Sequence, residues 1–432
     1  MSNSLCPEVI GLIVLITMSV RKIFLASALM LASFGAFAQE NTAKIKWYGF
    51  IRNYFAYDSR ESKSGTEDLF TYLPLDQKMV GGDDLNAISS FRFAALTSRL
   101  GVDVSGSEYE GWKMGAKIEA DFYSGVSGVT GTAQMRMRQA YLTLAKDKTN
   151  LKIGQAWHPM AADMPDVISL NAGAPFGPFS RTPMVNLDYK LADGLSLNAV
   201  ALWQMQYVSA GPAGQVANYI KYGKTPELFL GLNYKSEGFT AKAGVDMLSI
   251  KPRNFDASGT KRVDDRITTM STFLYAQYVE GNFAVKAKTT FAEAGEHMNL
   301  NGGYGVSAIN ADGSWEYTPT LNSSSWISFK YGGKKLQGVF FAGYVKNLGT
   351  KGDLLSPSEL YFSKNSFSNM NQMWRMTPTL IYNLGKFSLA LEYEVTSVQY
   401  GSWGTDFKKG LATDNLHWVT NNRIQLMTRY TF

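Results

Sequence analysis

Residues that could act as nucleophiles, general bases or metal ligands are few in this chain. The three histidines, His158, His297 and His417, have no metal-ligand spacing, and no serine or cysteine lies in a nucleophile motif. The glycine cluster at 302–305 is not placed between a strand and a helix, as a phosphate-binding loop would be. The pattern therefore predicts no catalysis, no cofactor and no metal site.

Charged side chains instead recur at every second position, which suits contact with dissolved ions. Over 112–123, the residues Lys113, Lys117, Glu119 and Asp121 alternate with apolar residues. Because successive side chains of a strand point to opposite faces, one face of this strand is charged and the other is apolar. The same alternation with a charged face occurs at 239–247, 283–291 and 387–396.

The composition favours an all-β membrane protein. Mean hydropathy is −0.14, but a membrane-spanning strand shows lipid only every second side chain, so average hydropathy underestimates this class. After Gln39, no apolar run reaches the roughly 18 to 20 residues that a spanning helix needs. The aromatic content of 13% and the 40 glycines suit aromatic girdles and strand bends.

The start of the chain has the features of a secretory signal peptide. A basic pair, Arg21 and Lys22, precedes the apolar stretch 23–34, and an Ala-Phe-Ala cleavage site ends at Ala38. Met18 lies just ahead of the basic pair, so translation starts either there or at the first residue of a longer basic region. We therefore expect a signal peptide at 1–38 and a mature domain at 39–432.

Weaker alternation extends the strand pattern over the mature chain. Counted together, the segments predict an antiparallel transmembrane β-barrel of about 16 strands, an even number large enough to leave an aqueous channel. The additional strands are expected at 44–58, 91–106, 134–145, 151–158, 184–191, 195–206, 227–235, 266–279, 315–330, 336–347, 370–383 and 417–432.

The connections between these strands fall into two classes of length. Short turns are expected at 107–111, 147–150, 192–194, 236–238, 280–282, 331–335 and 384–386. Long polar loops are expected between them, at 59–90, 159–183, 208–226, 252–265, 295–314, 348–368 and 401–416. Barrels of the bacterial outer membrane have tight periplasmic turns and long extracellular loops, so the order of the two classes also predicts the orientation.

The last strand ends in an aromatic residue. Tyr430 and Phe432 share the apolar face of this strand, while Arg423 and Arg429 lie on the other. A carboxy-terminal aromatic in this register is typical of the signal that directs assembly of outer-membrane barrels. We therefore predict that Tyr430 and Phe432 are read by the barrel-assembly machinery.

Three segments resemble a known family. Thr97–Gly101 is similar to the second strand of trimeric bacterial porins, Arg136–Tyr141 to their fourth strand and Leu151–Trp157 to their fifth. Within these porins, the chain resembles the DcaP-like branch and related porins of the Bacteroidetes type. The resemblance implies a homotrimer whose third loop folds into the lumen. DcaP-like proteins carry a coiled-coil extension before the barrel, whereas only 39–43 precede the first strand here, so trimer formation is expected to rest on barrel packing.

The resemblance places the loop 159–183 in the lumen, where Asp163 and Asp166 supply negative charge. Acids that face bases across a narrow aqueous gap produce a transverse field that sets ion selectivity. Inward positions of the second to fourth strands supply the bases of this expected constriction, namely Arg92, Arg99, Lys113, Lys117, Arg136 and Arg138.

Further inward charges are expected to line the pore. They mix both signs with a basic excess, which predicts a mild anion preference. They do not cluster on one exposed element, so nucleic-acid binding is not expected. The predicted lining residues are Arg52, Glu119, Asp121, Lys242, Asp246, Lys286, Lys288, Glu392 and Glu394.

The sequence is best interpreted as an outer-membrane porin that passes small hydrophilic solutes down their gradients. One alternative is a selective channel for saccharides or organic acids. Another is an adhesin or structural barrel, which the strand number opposes because eight-stranded barrels have filled lumens. Lipid, lipopolysaccharide and the assembly machinery are the expected partners.

Overall fold

The protein is described here by a computed structural model that covers residues 43–123, 132–214, 216–363, 367–405 and 407–432. The predicted signal peptide at 1–38 lies outside these ranges. Within them, no helix has both the length and the apolar character needed to cross a membrane.

Sixteen strands form one antiparallel sheet that closes on itself, which confirms the predicted fold class. The closing ladder joins the first strand to the last, with Phe50 opposite Thr431 and Asp58 opposite Arg423. In chain order the strands are β1 (Lys44–Asp58), β2 (Ser90–Ala94 and Arg99–Tyr109), β3 (Trp112–Phe122), β4 (Met135–Lys146), β5 (Thr149–Trp157), β6 (Arg181–Ala192), β7 (Leu195–Leu202), β8 (Glu227–Lys235), β9 (Phe239–Ile250), β10 (Ile267–Glu280), β11 (Phe283–Glu293), β12 (Trp315–Gly332), β13 (Leu336–Thr350), β14 (Met370–Leu384), β15 (Phe387–Ser402) and β16 (Asp414–Thr431).

Smaller elements lie in the long connections on one end of the barrel. The first long loop holds two hairpins, and two short strands, Gly303–Ile309 and Leu360–Phe362, pair with each other. The hairpins are Ser62–Gly65 with Phe70–Pro74, and Met79–Val80 with Asp83–Asp84. One helical turn spans Asn218–Lys221, and 3-10 turns span Gly295–Met298, Pro357–Glu359 and Phe407–Lys409.

Alternation along the strands separates an apolar outer face from a polar inner face. In β3, Ile118 is 55% exposed on the outside, whereas Glu119 and Asp121 are 4% and 2% exposed. In β4, Met135 and Met137 are likewise exposed, while Arg138 is buried. The face that the sequence predicts to contact hydrocarbon is therefore the outer face of the closed sheet.

Strand boundaries differ from the prediction in two respects. The predicted strand at 91–106 is interrupted after Ala94, because Thr97 adopts a positive φ of 70° and turns its N–H to the carbonyl of Phe122. Several strands also extend beyond the predicted ends, and β16 begins at Asp414 instead of 417. Backbone pairing continues past the hydrocarbon layer, where neither face needs to be apolar, so alternation cannot locate these ends.

The connection between β5 and β6, residues 158–180, packs inside the barrel and is called the third loop below. Phe176 is fully buried and its ring lies edge-on to that of Phe341 on β13, 5.9 Å away. Phe70 of the first loop contacts Phe179 of the third at 5.3 Å. The half of the lumen next to the long loops therefore contains an apolar core built from loops and wall together.

Candidate functional site

Six charged side chains from the first four strands meet on the inner wall. They come from adjacent strands, so the order of the sheet alone brings them within reach of one another. This group, which we call the arginine cluster, comprises Arg52, Arg99, Glu119, Asp121, Arg136 and Arg138.

Both carboxylates of the arginine cluster are held by guanidinium groups. Arg136 donates two hydrogen bonds to Asp121, at 3.0 and 2.9 Å, because the two residues lie directly opposite each other on β4 and β3. Arg138 bridges both acids, with 2.7 Å to Glu119 and 2.8 Å to Asp121. Arg99 approaches Glu119 to 3.5 Å. These charge-assisted contacts fix the orientation of the side chains on the wall.

The arginine cluster carries more positive than negative charge. Arg52 donates to Thr97 Oγ1 at 2.7 Å and, within the described part of the chain, forms no ion pair with a carboxylate. Four arginines therefore stand against two acids. The excess lies beside a cavity of about 350 Å³ that is bordered on its other side by the third loop, from Met164 to Ala172.

One arginine near this cavity was not predicted. Arg181, at the start of β6, is 3% exposed and stacks on the rings of Trp157 and Phe179, at 4.7 and 5.7 Å. Its Nη1 has no hydrogen-bond partner among the described atoms. The sequence analysis placed Arg181 in the loop. In β6, Arg181 is an even number of residues from the outward-facing Val185, so alternation predicts an outward side chain and could not identify it.

The acids of the third loop contact lysines, not the arginine cluster. Asp163 accepts hydrogen bonds from Lys242 on β9 at 2.8 and 2.9 Å, and Asp166 pairs with Lys286 on β11 at 2.9 Å. Lys288 donates to the backbone carbonyl of Asp163 at 2.6 Å. The sequence placed these acids opposite the bases of β2 to β4, whereas in the structure their ion pairs hold the loop to the other wall.

Three predicted constriction residues lie apart from the arginine cluster. Arg92 is about half-exposed at the mouth and pairs with Asp68 of the first loop at 2.6 Å. Lys113 is exposed beside a short turn. Lys117 lies on the lumen wall below the cluster, 2.6 Å from Asp103 and 2.9 Å from Tyr48 Oη.

Two predicted lining acids hold the third loop in place. Glu392 on β15 is fully buried and accepts hydrogen bonds from the backbone N–H groups of Ile168 and Ser169, at 2.8 and 3.0 Å. Glu394 accepts from Asn171 Nδ2 at 3.1 Å. Alternation along the strand predicted that both side chains face the lumen. Their contacts with the third loop are seen only in the three-dimensional structure.

A second charged group lies behind the third loop. His158, the first residue of that loop, contacts Glu227 of β8 at 3.0 Å and Asp246 of β9 at 3.5 Å. His297, from the 3-10 turn after β11, contacts the same two carboxylates at 3.4 and 3.6 Å. We call these four residues the histidine cluster. Sequence spacing missed it, because the four residues come from four separate segments.

The histidine cluster is enclosed by protein. All four side chains are at most 1% exposed. Burial lowers the pKa of His297, but the adjacent Glu227 and Asp246 raise it more, so the pKa lies well above its ordinary value. The third histidine, His417, lies elsewhere, 2.7 Å from Asp76 of the first loop.

The carboxy-terminal residue closes the barrel against β1. Phe432 N donates to Gly49 O at 3.1 Å, and the Phe432 ring covers Gly49, where a Cβ would lie 2.6 Å from it. Glycine is therefore required at position 49 for this contact. Tyr430 lies on the exposed outer face. Recognition of Tyr430 and Phe432 by the assembly machinery stays a prediction.

Comparison with known proteins finds likenesses to outer-membrane channels. Residues 35–176 match the model of the DcaP outer membrane protein family. The outer membrane channel DcaP of Acinetobacter baumannii superposes with a TM-score of 0.65 at 20% identity, over 92% of this chain and 99% of that one. Comparison with curated sequences gives no match.

Two further structures share the fold at lower identity. A trimer form of OmpT from Vibrio cholerae has a TM-score of 0.52 at 12% identity, over 90% of this chain and 99% of that one. An anion-selective porin from Comamonas acidovorans has a TM-score of 0.52 at 11% identity, over 90% and 100%. Together with the closed sixteen-stranded barrel, these likenesses show that the chain has the fold of outer-membrane porins, and its residues 35–176 match the DcaP family model.

Proposed function

We propose that the chain is an outer-membrane porin of the DcaP type, which conducts small hydrophilic solutes passively with a mild preference for anions. The observation that carries the proposal is the excess of arginine over carboxylate on the wall of the 350 Å³ cavity beside the third loop. A ring of positive charge in a narrow aqueous path raises the local concentration of anions and repels cations.

The contacts of the third loop support a constriction at the arginine cluster. Because Asp163 and Asp166 are paired with lysines of β9 and β11, their charge is neutralised on the wall away from the arginines. The segment from Met164 to Ala172 that borders the cavity therefore adds little negative charge of its own. We infer that permeating anions pass between this segment and the arginine cluster.

Among the alternatives, a channel for organic acids is favoured over one for saccharides. Guanidinium groups bind carboxylates in a planar, bidentate geometry, and the cavity also exposes the rings of Tyr123 and Trp157. This pairing of fixed positive charge with aromatic surface suits small carboxylates. We propose it as the second, more selective form of the same function.

The proposal is tested by the reversal potential of single channels in a KCl gradient. Arg52→Gln removes a positive charge without leaving a carboxylate unpaired, because Arg52 is bonded to Thr97. The anion-to-cation permeability ratio should fall by roughly fivefold, the equivalent of about 1 kcal/mol for one charge near 4 Å in water. Lys409→Gln, an exposed change in an outer loop, is the control. Cation preference in the wild type, or equal effects of both variants, would contradict the proposal.

We also propose that the chain is exported by its signal peptide at 1–38 and that its barrel contacts lipid and lipopolysaccharide. We further propose that three copies assemble as a homotrimer. The trimer form described for OmpT, which shares the fold, supports this assembly. Native mass spectrometry of detergent-extracted protein should give three chains per particle, and a single chain per particle would contradict the proposal.

A further inference from the structure

The histidine cluster has no part in the proposed conducting path. It lies behind the start of the third loop, and its side chains have almost no solvent exposure. Two carboxylates buried together are costly unless cations or strong donors compensate them. Among the described residues, neither Glu227 nor Asp246 forms an ion pair with lysine or arginine, so only the two histidines and Gln204 stand near the charge.

The hydrogen bonds of the two imidazoles assign them different roles. Met160 N donates to His158 Nδ1 at 3.2 Å, so that nitrogen carries no proton and Nε2–H donates to Glu227 at 3.0 Å. His297 has the opposite arrangement. Its Nδ1 lies 3.3 Å from the carbonyl of Ala294, which can only accept, so Nδ1 carries the proton.

His297 Nε2 therefore faces the two acids, and it can bind a metal ion once its proton is released. This nitrogen is buried and has no hydrogen-bond partner in the described part of the structure, and the same holds for Asp246 Oδ1. A backbone carbonyl that fixes the tautomer of a histidine is the usual outer contact of a metal-ligating imidazole. Both unpartnered atoms belong to one buried group.

The distances fit the ligand shell of a small divalent ion. His297 Nε2 lies 3.4 Å from Glu227 Oε1 and 3.6 Å from Asp246 Oδ2. Ligand atoms at zinc distances of about 2.0 to 2.2 Å in a tetrahedron are separated by about 3.3 to 3.6 Å. Ligand atoms of His158, Glu227 and Asp246 also all lie within 4.8 Å of one another.

We propose that the histidine cluster is a divalent metal site, in which His297, Glu227 and Asp246 bind a zinc-class ion. His158 acts as a positioning residue that donates to Glu227. An ion of charge +2 neutralises both carboxylates, and its binding displaces the proton on His297 Nε2. The mixed nitrogen and oxygen donors favour zinc over magnesium or calcium, which prefer oxygen ligands alone.

Such an ion would connect the third loop to the barrel wall. Its ligands come from β8, β9 and the turn at Gly295–Met298, and His158 starts the third loop. Phe179 N already donates to Met298 O at 2.9 Å, so the end of the same loop contacts the same turn. The site therefore lies where both ends of the third loop are attached.

The test measures zinc binding by the folded, detergent-purified protein without an affinity tag. After EDTA treatment and addition of Zn²⁺ alone, the wild type should retain about one ion per chain by mass spectrometry of the metal. His297→Gln and Asp246→Asn should retain none. His158→Gln should bind roughly 10 to 100 times more weakly, as expected for loss of an outer-shell partner. His417→Gln, which changes a histidine outside the cluster, should bind as the wild type does.

A second measurement keeps the test independent of variant folding. Co²⁺ bound by the wild type should give the visible absorption of a tetrahedral nitrogen and oxygen site, and Zn²⁺ should displace it. Wild-type protein that retains no Zn²⁺ at neutral pH would overturn the proposal. Loss of the ion from His417→Gln as well as from His297→Gln would also overturn it. Neither result bears on anion preference, so the porin proposal is judged separately.

Discussion

The arginine cluster and the histidine cluster each contain two carboxylates on the inner wall, but the acids are compensated differently. Glu119 and Asp121 receive guanidinium hydrogen bonds of 2.7 to 3.0 Å. Among the described residues, Asp246 Oδ1 and His297 Nε2 form no hydrogen bond. Both acids of the first cluster are therefore held by strong hydrogen bonds, whereas the second cluster leaves two buried polar atoms without one.

This difference follows from where the two clusters face. The arginine cluster borders an aqueous cavity, where excess positive charge stays solvated and can act on permeating ions. The histidine cluster is shielded from water, where excess charge of either sign is costly. Charge can therefore remain unbalanced in the first cluster, whereas in the second the two acids are balanced by the adjacent histidines or, as we propose, by a metal ion.

The largest expected effect comes from breaking the arginine network. Arg138→Met removes the group that bridges Glu119 and Asp121 and leaves two acids short of a partner in a site where Arg138 is only 7% exposed. Loss of one partner from a buried pair costs about 3 to 5 kcal/mol. Urea unfolding in detergent micelles measures this change.

Lys409→Met is the matched control, because Lys409 pairs with Asp353 at an exposed position in an outer loop. Exposed pairs contribute about 0 to 1 kcal/mol, so this variant should unfold close to the wild type. Equal unfolding midpoints for Arg138→Met and Lys409→Met would show that the bridging contacts add no stability.

The second-largest expected effect is a gain in stability on zinc binding, which depends on the histidine cluster and not on the arginine cluster. At a Zn²⁺ concentration of 100 times the dissociation constant, a folded-state site adds about 2.7 kcal/mol to stability. Wild type and Asp121→Asn should both show this gain, whereas Asp246→Asn should not. Urea unfolding with and without Zn²⁺ measures it, and a gain in Asp246→Asn would place the zinc elsewhere.

Sequence reasoning found the arginine cluster because its partners are neighbours in the sheet. Asp121 and Arg136 lie opposite each other on consecutive strands, and inward parity selects both. The histidine cluster joins residues as distant as His158 and His297, whose meeting depends on how two loops fold into the lumen. Parity could not show that the acids of the third loop turn towards Lys242 and Lys286 either. Alternation of polar and apolar residues therefore predicts which side chains line the inner wall, but not which loop residues pack against them.

A smaller effect concerns selectivity. Asp121→Asn removes a negative charge beside Arg136 and Arg138, so the excess of positive charge at the cavity increases. The anion-to-cation permeability ratio should rise by up to roughly fivefold, from about 1 kcal/mol per charge near 4 Å in water. Reversal potentials measure the ratio, with Asp353→Asn in an outer loop as control. An unchanged ratio in Asp121→Asn would show that ions do not pass this wall.

The smallest effect extends the comparison to an arginine–carboxylate pair outside the lumen. In the first loop, the hydrogen bond from Arg60, aided by the N–H groups of Lys78 and Asn86, lowers the pKa of Asp84 to about 2. A lowered pKa means that this pair stabilises the loop above the ordinary value of 3.8, and that the contribution is lost as the pH falls through 2. Hydrogen-exchange protection of the hairpin at Met79–Asp84, relative to the intrinsic rate at each pH, should therefore fall between about pH 4 and 2.

Asp84→Asn provides the control for this pH dependence. Its hairpin should be less protected than that of the wild type already at neutral pH, and this protection should change little on acidification, because the ionised partner of Arg60 is absent at every pH. Protection in the wild type that stays constant down to pH 2 would show that the pair does not hold the hairpin. Because the hairpin is a separate two-stranded sheet outside the barrel wall, loss of the pair should leave the barrel folded, in contrast to the loss of Arg138 from the wall.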